Sequence, residues 1–259
     1  MKKVLSFLAI AAMVLVACSK TPKPQPKPNP DPEPEPEPEP EYVMPITVDG
    51  DFADWAKLDA TKVVSAKCDP NALYTAVKEI RVYADEFYVF YYIEFDNAQI
   101  GDLLAGSNDP SDPDHDALPI RLDINTDGEF ESGYKKYFQE RYDFIIEGGI
   151  ASKGQWCSFD GDLLQRFESG WGDPALLPAG SGMLAGAGKD NKYEISLLRE
   201  SFNAGCATSS APKPMGDEFQ TGITFYTAAW GELGGMPNAA VSEEDAKGWG
   251  HMLTVKTVK

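Results

Sequence analysis

Along residues 43–259 the apolar positions repeat mostly every second residue, in short runs separated by Gly, Pro, Asn and Asp. This period of two is typical of half-buried β-strands. The clearest pair of runs, 80–84 and 88–95, is separated by Asp85 and Glu86, which favours a β-hairpin. Further strands are predicted at 46–48, 118–124, 141–146, 154–159, 183–187, 193–198, 222–229 and 252–258. Short helices are predicted at 98–104, 163–167, 198–202 and 243–247. Because strands and helices do not alternate, the pattern predicts an all-β fold, an antiparallel two-sheet β-sandwich in one domain.

Residues 1–17 have the features of an export signal. Lys2 and Lys3 give a positive start, and an almost unbroken apolar run follows that is too short to span a bilayer comfortably. The run ends Leu-Val-Ala-Cys at 15–18, which resembles the bacterial lipobox. That resemblance implies that Cys18 becomes the first residue of the mature chain and carries diacylglycerol and a fatty acid such as palmitate. The alternative is an ordinary secretory signal in which the position of Cys18 is a coincidence.

The residue after the anchor cysteine helps to predict whether the lipoprotein stays in the inner membrane or reaches the outer membrane. Lipoproteins that are retained in the inner membrane carry Asp at this position, whereas this chain has Ser19. The resemblance therefore implies a lipid anchor in the cell outer membrane, and we expect the domain to face outwards, as in Bacteroidetes-type surface lipoproteins.

A proline-rich linker follows over residues 18–42. Every second residue from Pro22 to Pro40 is proline, with Lys and Gln near the anchor and Asp and Glu at the distal end. Proline fixes φ and keeps the preceding residue extended, so we expect a disordered, semi-rigid polyproline stalk and no globular element. At about 3.1 Å per residue such a stalk reaches on the order of 60 Å.

The charge balance excludes one class of partner. The chain has 41 acidic residues against 23 Lys and Arg, a formal net charge of −18. Such a chain is repelled by the phosphate backbone, so nucleic acid is excluded as a partner. Anionic bilayers are disfavoured for the same reason, and membrane attachment is expected only through the acyl anchor at Cys18.

Several strings in 43–259 resemble the family-nine-like carbohydrate-binding modules, which belong to the wider sandwich group that includes DOMON domains. The opening Ile-Thr-Val-Asp-Gly-Asp-Phe-Ala-Asp-Trp at 46–55 matches their I-x-V-D-G-x-x-x-D-W start, and the hairpin at 80–93, the string at 120–128 and the strand at 191–197 follow in their order. The resemblance implies a β-sandwich that binds carbohydrate without catalysis. From its position after a turn, Trp55 is expected to cover one end of the sandwich.

The string Asp-Ile-Asn-Thr-Asp-Gly at 123–128 has oxygen-bearing side chains at alternate positions, which is the donor type that calcium prefers. An EF-hand loop is excluded because Tyr134 stands where its twelfth-position Glu would be. Two interpretations remain open. One is a calcium turn with Asp123, Asn125 and Asp127 as ligands, completed by Glu129, Glu131 or an acid from elsewhere in the chain. The other is a plain turn in which Asn and Asp side chains bond their own backbone.

Flat aromatic side chains rimmed by polar groups are what a sugar ring needs. Trp171, Trp230 and Trp249 stand beside glycines, and Trp156 alternates within a predicted strand. These four tryptophans are the candidate ligand-binding residues, and structural cover is the alternative for each. Glu140, Arg141 and Glu147 are candidate polar contacts.

The expected function is therefore a non-catalytic, calcium-assisted glycan-binding lipoprotein. The alternative is a protein-interaction or accessory subunit of a surface uptake or adhesion assembly, with outer-membrane proteins as partners. An enzyme is not expected. His115 and His251 are the only histidines, and the sequence singles out no carboxylate pair.

Overall fold

The computed structural model describes residues 41–105, 117–129, 133–165, 172, 175–178, 180, 182–208, 214–227 and 230–259. The signal peptide, Cys18 and nearly all of the stalk lie outside the described residues. Val43–Lys259 forms one compact unit. Within the described ranges, no helix is long and apolar enough to cross a membrane.

The described part of Val43–Lys259 is built of antiparallel strands in two sheets. The strands are β1 (Val64–Lys67), β2 (Val77–Ala84), β3 (Tyr88–Phe95), β4 (Ala117–Asn125), β5 (Phe144–Ser152), β6 (Gln155–Gln165), β7 (Ala175–Leu177), β8 (Leu184–Lys189), β9 (Lys192–Leu198), β10 (Glu218–Tyr226), β11 (Glu232–Met236) and β12 (Leu253–Lys256). The helices are α1 (Ile100–Ala105), α2 (Arg199–Cys206) and two short 3-10 helices, Phe52–Ala56 and Ala60–Lys62. The five-stranded sheet has the order β1-β2-β3-β9-β8. The seven-stranded sheet has the order β11-β10-β4-β5-β6-β7, with β12 also paired to β10.

The main core lies between the inner faces of the two sheets. Val89, Tyr91 and Ile93 of β3 belong to this core, and so do Ile120 and Leu122 of β4, all with no solvent exposure. Because side chains alternate between faces, a period of two leaves the intervening residues on the outer faces. The architecture confirms the predicted all-β, antiparallel two-sheet sandwich with a few short helices.

The N-terminal segment covers the outer face of the five-stranded sheet. Trp55 is buried with Phe90 and Tyr92 of β3, and its Nε1 donates to Oε2 of Glu194 at 3.1 Å. The backbone N–H groups of Asp49 and Gly50 donate to the other oxygen of Glu194 at 3.0 and 2.9 Å. Burial raises the pKa of Glu194, although these three donors oppose the shift. Trp55 therefore has a structural role, as predicted, but it covers the outer face of the five-stranded sheet and not one end of the sandwich.

The outer face of the seven-stranded sheet is covered by residues 133–143. Tyr137, Phe138 and Tyr142 pack there with Tyr226 of β10 in a second apolar cluster. A Cβ on Gly222 of β10 would stand 2.3 Å from the Phe138 ring, so glycine lets this segment approach the sheet. This cover positions the candidate site described below.

Three local predictions are wrong. Residues 46–48 form no strand, because Thr47 donates its N–H to Oδ2 of Asp54 instead of to a neighbouring strand. The helix predicted at 163–167 is strand as far as Gln165, since these residues pair with β5 and β7. Residues 243–247 form bends and a turn around Asp245, whose carboxylate accepts from the N–H groups of Lys247 and Gly248.

Cys68, Cys157 and Cys206 are unpaired thiols.

Candidate functional site

An open cleft of about 350 Å³ lies on the outer face of the seven-stranded sheet. Three neighbouring strands supply its floor, since Arg121 of β4 pairs in register with Glu147 of β5 and with Thr224 of β10. The covering segment 133–143 and the turn after β10 supply its walls. The residues that line the cleft are Arg121, Tyr134, Lys136, Glu147, Tyr226 and Trp230.

Arg121 is the central polar group of the cleft. Its Nε donates to Oε2 of Glu147, and its Nη1 donates to the Tyr226 hydroxyl at 2.6 Å. The guanidinium carbon lies 4.5 Å from the ring centroid of Tyr226 and 5.4 Å from that of Trp230. Burial alone would lower the pKa of Arg121, but Tyr226 and Glu147 outweigh burial and raise it. The guanidinium is therefore held charged and in one orientation.

Trp230 forms the exposed aromatic surface of the cleft. The residue is 41% exposed, and its ring lies 5.4 Å from that of Tyr226. Its backbone has φ +59°, a left-handed conformation that costs roughly 1–2 kcal/mol for a residue with a side chain. Its N–H donates to the carbonyl of Thr227 at 2.9 Å, which closes the turn between β10 and β11. Strained, half-exposed residues of this kind are found preferentially at functional sites.

The rim of the cleft is an ion-pair network. Nζ of Lys136 lies 2.9 Å from Oε1 of Glu232, and Nζ of Lys247 lies 3.6 Å from its Oε2. The network separates the cleft from a narrower neighbouring pocket lined by Tyr74, Tyr137 and Trp249, among others. Trp249 is half-buried there, and its N–H donates to Oδ2 of Asp245. Trp249 therefore lines a different pocket from Trp230.

The other two tryptophans lie outside the cleft. Trp171 lies outside the described residues. The Trp156 ring lies 5.3 Å from that of Tyr193 and 5.6 Å from that of Phe95. Its Nε1 donates to the carbonyl of Asp190 at 3.1 Å. The contacts of Trp156 are those of structural cover, so the candidate site does not include it.

Of the three candidate polar contacts, the structure brings only Glu147 into the cleft. Glu140 lies 2.6 Å from Nδ1 of His251 and accepts from the N–H of Met252 at 2.9 Å. The Arg141 guanidinium donates to the carbonyl of Gly133 at 3.0 Å. Both side chains therefore hold the covering segment in place.

The four predicted calcium ligands do not converge on one point. The Asp123 side chain is 0% exposed and lies on the same outer face of β4 as Arg121, near the hydroxyls of Thr224 and Tyr142. Neither of its oxygens has a partner in hydrogen-bond geometry among the described residues. Burial raises the pKa of Asp123 well above its usual range, against the influence of Arg121. Asp123 is therefore a buried acid beneath the cleft.

The turn after β4 is held by its own side chains. Asn125 donates from Nδ2 to the carbonyls of Glu129 and Arg141 at 3.0 and 2.8 Å, and its Oδ1 accepts from the N–H of Gly128. Oδ1 of Asp127 accepts from the N–H of Glu129 at 2.8 Å. These bonds agree with the plain-turn interpretation. In the part of the chain that the structure describes, no group of three or more His, Cys, Asp or Glu side chains is arranged to hold a metal.

The sequence pattern did not predict one contact between two acidic side chains at this turn. Asp143 is 4% exposed, and the structure places its carboxyl group beside that of Asp127. Burial first, and the charge of Asp127 second, raise the pKa of Asp143 to about 7. Its Oδ2 has no hydrogen-bond partner among the described residues. The two carboxyl groups come from opposite ends of the 127–143 segment, so sequence spacing gives no sign of their contact.

Comparison with protein-family models and with curated proteins finds no match. The functional argument therefore depends on the cleft itself.

Proposed function

We propose that this protein is a non-catalytic, lipid-anchored outer-membrane protein that binds carbohydrate in the cleft beside Trp230. The observation that carries the proposal is the arrangement of an exposed indole next to a fixed Arg121–Glu147 pair in an open cleft of about 350 Å³. An indole face packs against the apolar face of a sugar ring, and Glu147 of the charged pair offers an acceptor to the ring hydroxyls. The volume lies at the lower end of small-molecule sites, which run from about 300 to 1,000 Å³.

The carboxyl groups at the cleft support a binding role and not hydrolysis. Glycoside hydrolysis needs two carboxyl groups that both reach the scissile bond. Glu147 lines the cleft, whereas Asp123 lies beneath it with no solvent exposure. Among the described residues that line the cleft, Glu147 is the one acid.

The proposed setting follows from the N-terminal sequence. An acyl anchor at Cys18 and the proline-rich stalk would hold the domain away from the outer membrane, where it could meet glycans outside the cell. The resemblance to family-nine-like modules supports the same role. Calcium stays a prediction for the turn at Asp127, and the cleft residues need no metal for the contacts described above.

Replacement of the indole tests the proposal. We expect Trp230→Ala to weaken glycan binding tenfold to a hundredfold, or by about 1.4 to 2.8 kcal/mol, in calorimetric titration with oligosaccharides first identified on a glycan array. Phe87→Ala is the matched control, because Phe87 is also an exposed aromatic, 45% exposed, and does not line the cleft. Unchanged affinity in Trp230→Ala, or no glycan bound by the wild type, would refute the proposal.

A protein-binding role is the alternative, and one observation favours it. Leu73 and Val241 are exposed apolar residues on two loops joined by a hydrogen bond from the N–H of Val241 to the carbonyl of Asn71. Leu73 also lines the narrow pocket that contains Trp249. If this surface binds an outer-membrane protein, cross-linking in intact cells should capture one partner, and Leu73→Ser should abolish the cross-link.

A further inference from the structure

We propose that the cleft selects uncharged glycans and rejects polyuronates and other acidic polysaccharides. This inference rests on the proposed function, since it concerns which carbohydrate the same cleft accepts. The argument comes from the charges that line the cleft and from how each of them is already bonded.

The basic side chains of the cleft are engaged within the protein. Arg121 is bonded to Glu147 and to the Tyr226 hydroxyl, with aromatic rings near its guanidinium. Lys136 is paired with Glu232 at 2.9 Å. A ligand carboxylate would compete with Glu147 for Arg121, or with Glu232 for Lys136, and in the second case Glu232 would keep only its longer pair with Lys247 at 3.6 Å. Such an exchange costs desolvation and returns no new charge pair overall.

The acceptor that the cleft offers is a carboxylate oxygen. The Glu147 side chain is 21% exposed, and its Oε2 accepts from Nε of Arg121. A carboxylate has about four acceptor positions on its two oxygens, so the solvent-facing part of Glu147 can accept further hydrogen bonds. It accepts strongly from a hydroxyl and repels another carboxylate or a sulfate. The cleft is therefore suited to a ligand that donates hydrogen bonds and carries no negative charge.

The charge of the whole chain acts in the same direction. A formal net charge of −18 slows the approach of a polyanion, although this effect fades beyond a Debye length of about 8 Å at physiological salt. We therefore expect the discrimination to persist at physiological salt, because it originates in contacts inside the cleft.

Pairs of polymers that share a backbone but differ in charge test the inference. The full chain, purified in detergent, is run by affinity electrophoresis in hydroxyethylcellulose against carboxymethylcellulose, fully methyl-esterified polygalacturonate against free polygalacturonate, and arabinoxylan against glucuronoxylan. We expect retardation by at least one neutral polymer, with a dissociation constant at least tenfold lower than for its acidic counterpart.

The variant Glu147→Gln distinguishes a role in selecting the ligand from a purely structural role. Only the first predicts a change in the preference for the neutral over the acidic polymer. Without the carboxylate, Arg121 can pair with an acid on the ligand, so we expect the preference for the neutral polymer to fall at least fivefold. Glu79→Gln is the matched control, because Glu79 bonds Arg81 at 3.0 and 2.9 Å, and Arg81 lies 4.8 Å from the Tyr92 ring, on the other sheet. This control should keep the wild-type preference.

The possible results separate the two proposals. Equal or tighter binding of the acidic polymers overturns this inference and leaves carbohydrate binding intact. A folded Glu147→Gln variant with the wild-type preference also overturns the inference. Retardation by none of the six polymers overturns the proposed function and this inference with it.

Discussion

Replacement of Asp143 by Asn should make the protein more stable at alkaline pH. Asp143 is buried beside Asp127, and its pKa is raised to about 7 from an ordinary value of 3.8. Asparagine keeps an oxygen that can accept from the N–H of Thr126, which bonds the aspartate in the wild type. Its amide can also donate to the Asp127 carboxylate. The variant therefore removes a repulsive charge and retains the local hydrogen bonding.

The sign of the effect follows from proton linkage. Between pH 3.8 and about 7 the folded state holds a proton on Asp143 that the unfolded state has released. The free energy of unfolding therefore falls as pH rises through this window. A pKa that differs by one between the folded and unfolded states corresponds to about 1.4 kcal/mol, so a difference of about three gives an upper limit of about 4 kcal/mol. We expect a measured contribution on the order of 1 to 4 kcal/mol.

Urea unfolding at pH 4, 5, 6, 7 and 8 measures this contribution. The difference in free energy between Asp143→Asn and the wild type should grow in favour of the variant up to about pH 7 and then level off. Asp160→Asn, at an exposed position of β6, is the control and should leave the pH dependence unchanged. A constant difference across the series would refute the reasoning.

Urea unfolding also tests the predicted calcium turn. Asp143 was not a predicted ligand, but the structure places it beside the predicted ligand Asp127. If calcium binds between these two residues, millimolar calcium should stabilise the wild type at pH 8 and not the Asp143→Asn variant. Identical unfolding curves with calcium and with EDTA would show that calcium does not bind to the folded protein.

Two further predictions concern the packing of the sandwich and its anchor. Trp55→Phe removes the indole donor to Glu194 and should cost about 1–3 kcal/mol in urea unfolding. Trp156→Phe, which loses a bond to an exposed carbonyl, should cost less, and equal losses would contradict the importance of the Glu194 contacts. Cys18→Ser should abolish labelling with a palmitate analogue and release the chain from the membrane fraction, whereas Cys206→Ser should leave both unchanged. Persistent labelling of Cys18→Ser would exclude lipidation at that residue.

The local pattern was sufficient to predict most of the sandwich. The run at 88–95 is almost wholly apolar and lies between the turn residues Asp85-Glu86 and Asp96-Asn97, and its predicted bounds equal those of β3. Trp55 was correctly predicted as structural cover from the turn that precedes it, although it packs on the outer face of β3 and not at an end of the sandwich. The strand at 46–48 failed because the N–H of Thr47, and that of Asp49 just after it, bond to side chains, which hydrophobic periodicity does not reveal.

The composition of the cleft was much harder to predict, because it depends on which strands pair. Arg121, Glu147 and Tyr226 lie on three strands that are distant in sequence and meet through the register of β4 with its neighbours. The one available signal was the alternation of Arg121 and Asp123 with buried Ile120 and Leu122, which places both charged residues on the same outer face. Because Asp123 is two residues after Arg121 in the same strand, its side chain lies on the same face as Arg121 and not in the turn at Asp127.

Fluorine NMR of the chain labelled with 5-fluorotryptophan tests the central claim most directly. The sequence has five tryptophans, so five resonances are expected, and Trp230→Phe assigns the one from the cleft. We predict that a neutral oligosaccharide that binds the protein shifts the Trp230 resonance by far the most. A bound glycan that leaves Trp230 unchanged, or that shifts Trp171 instead, would contradict the cleft as the binding site.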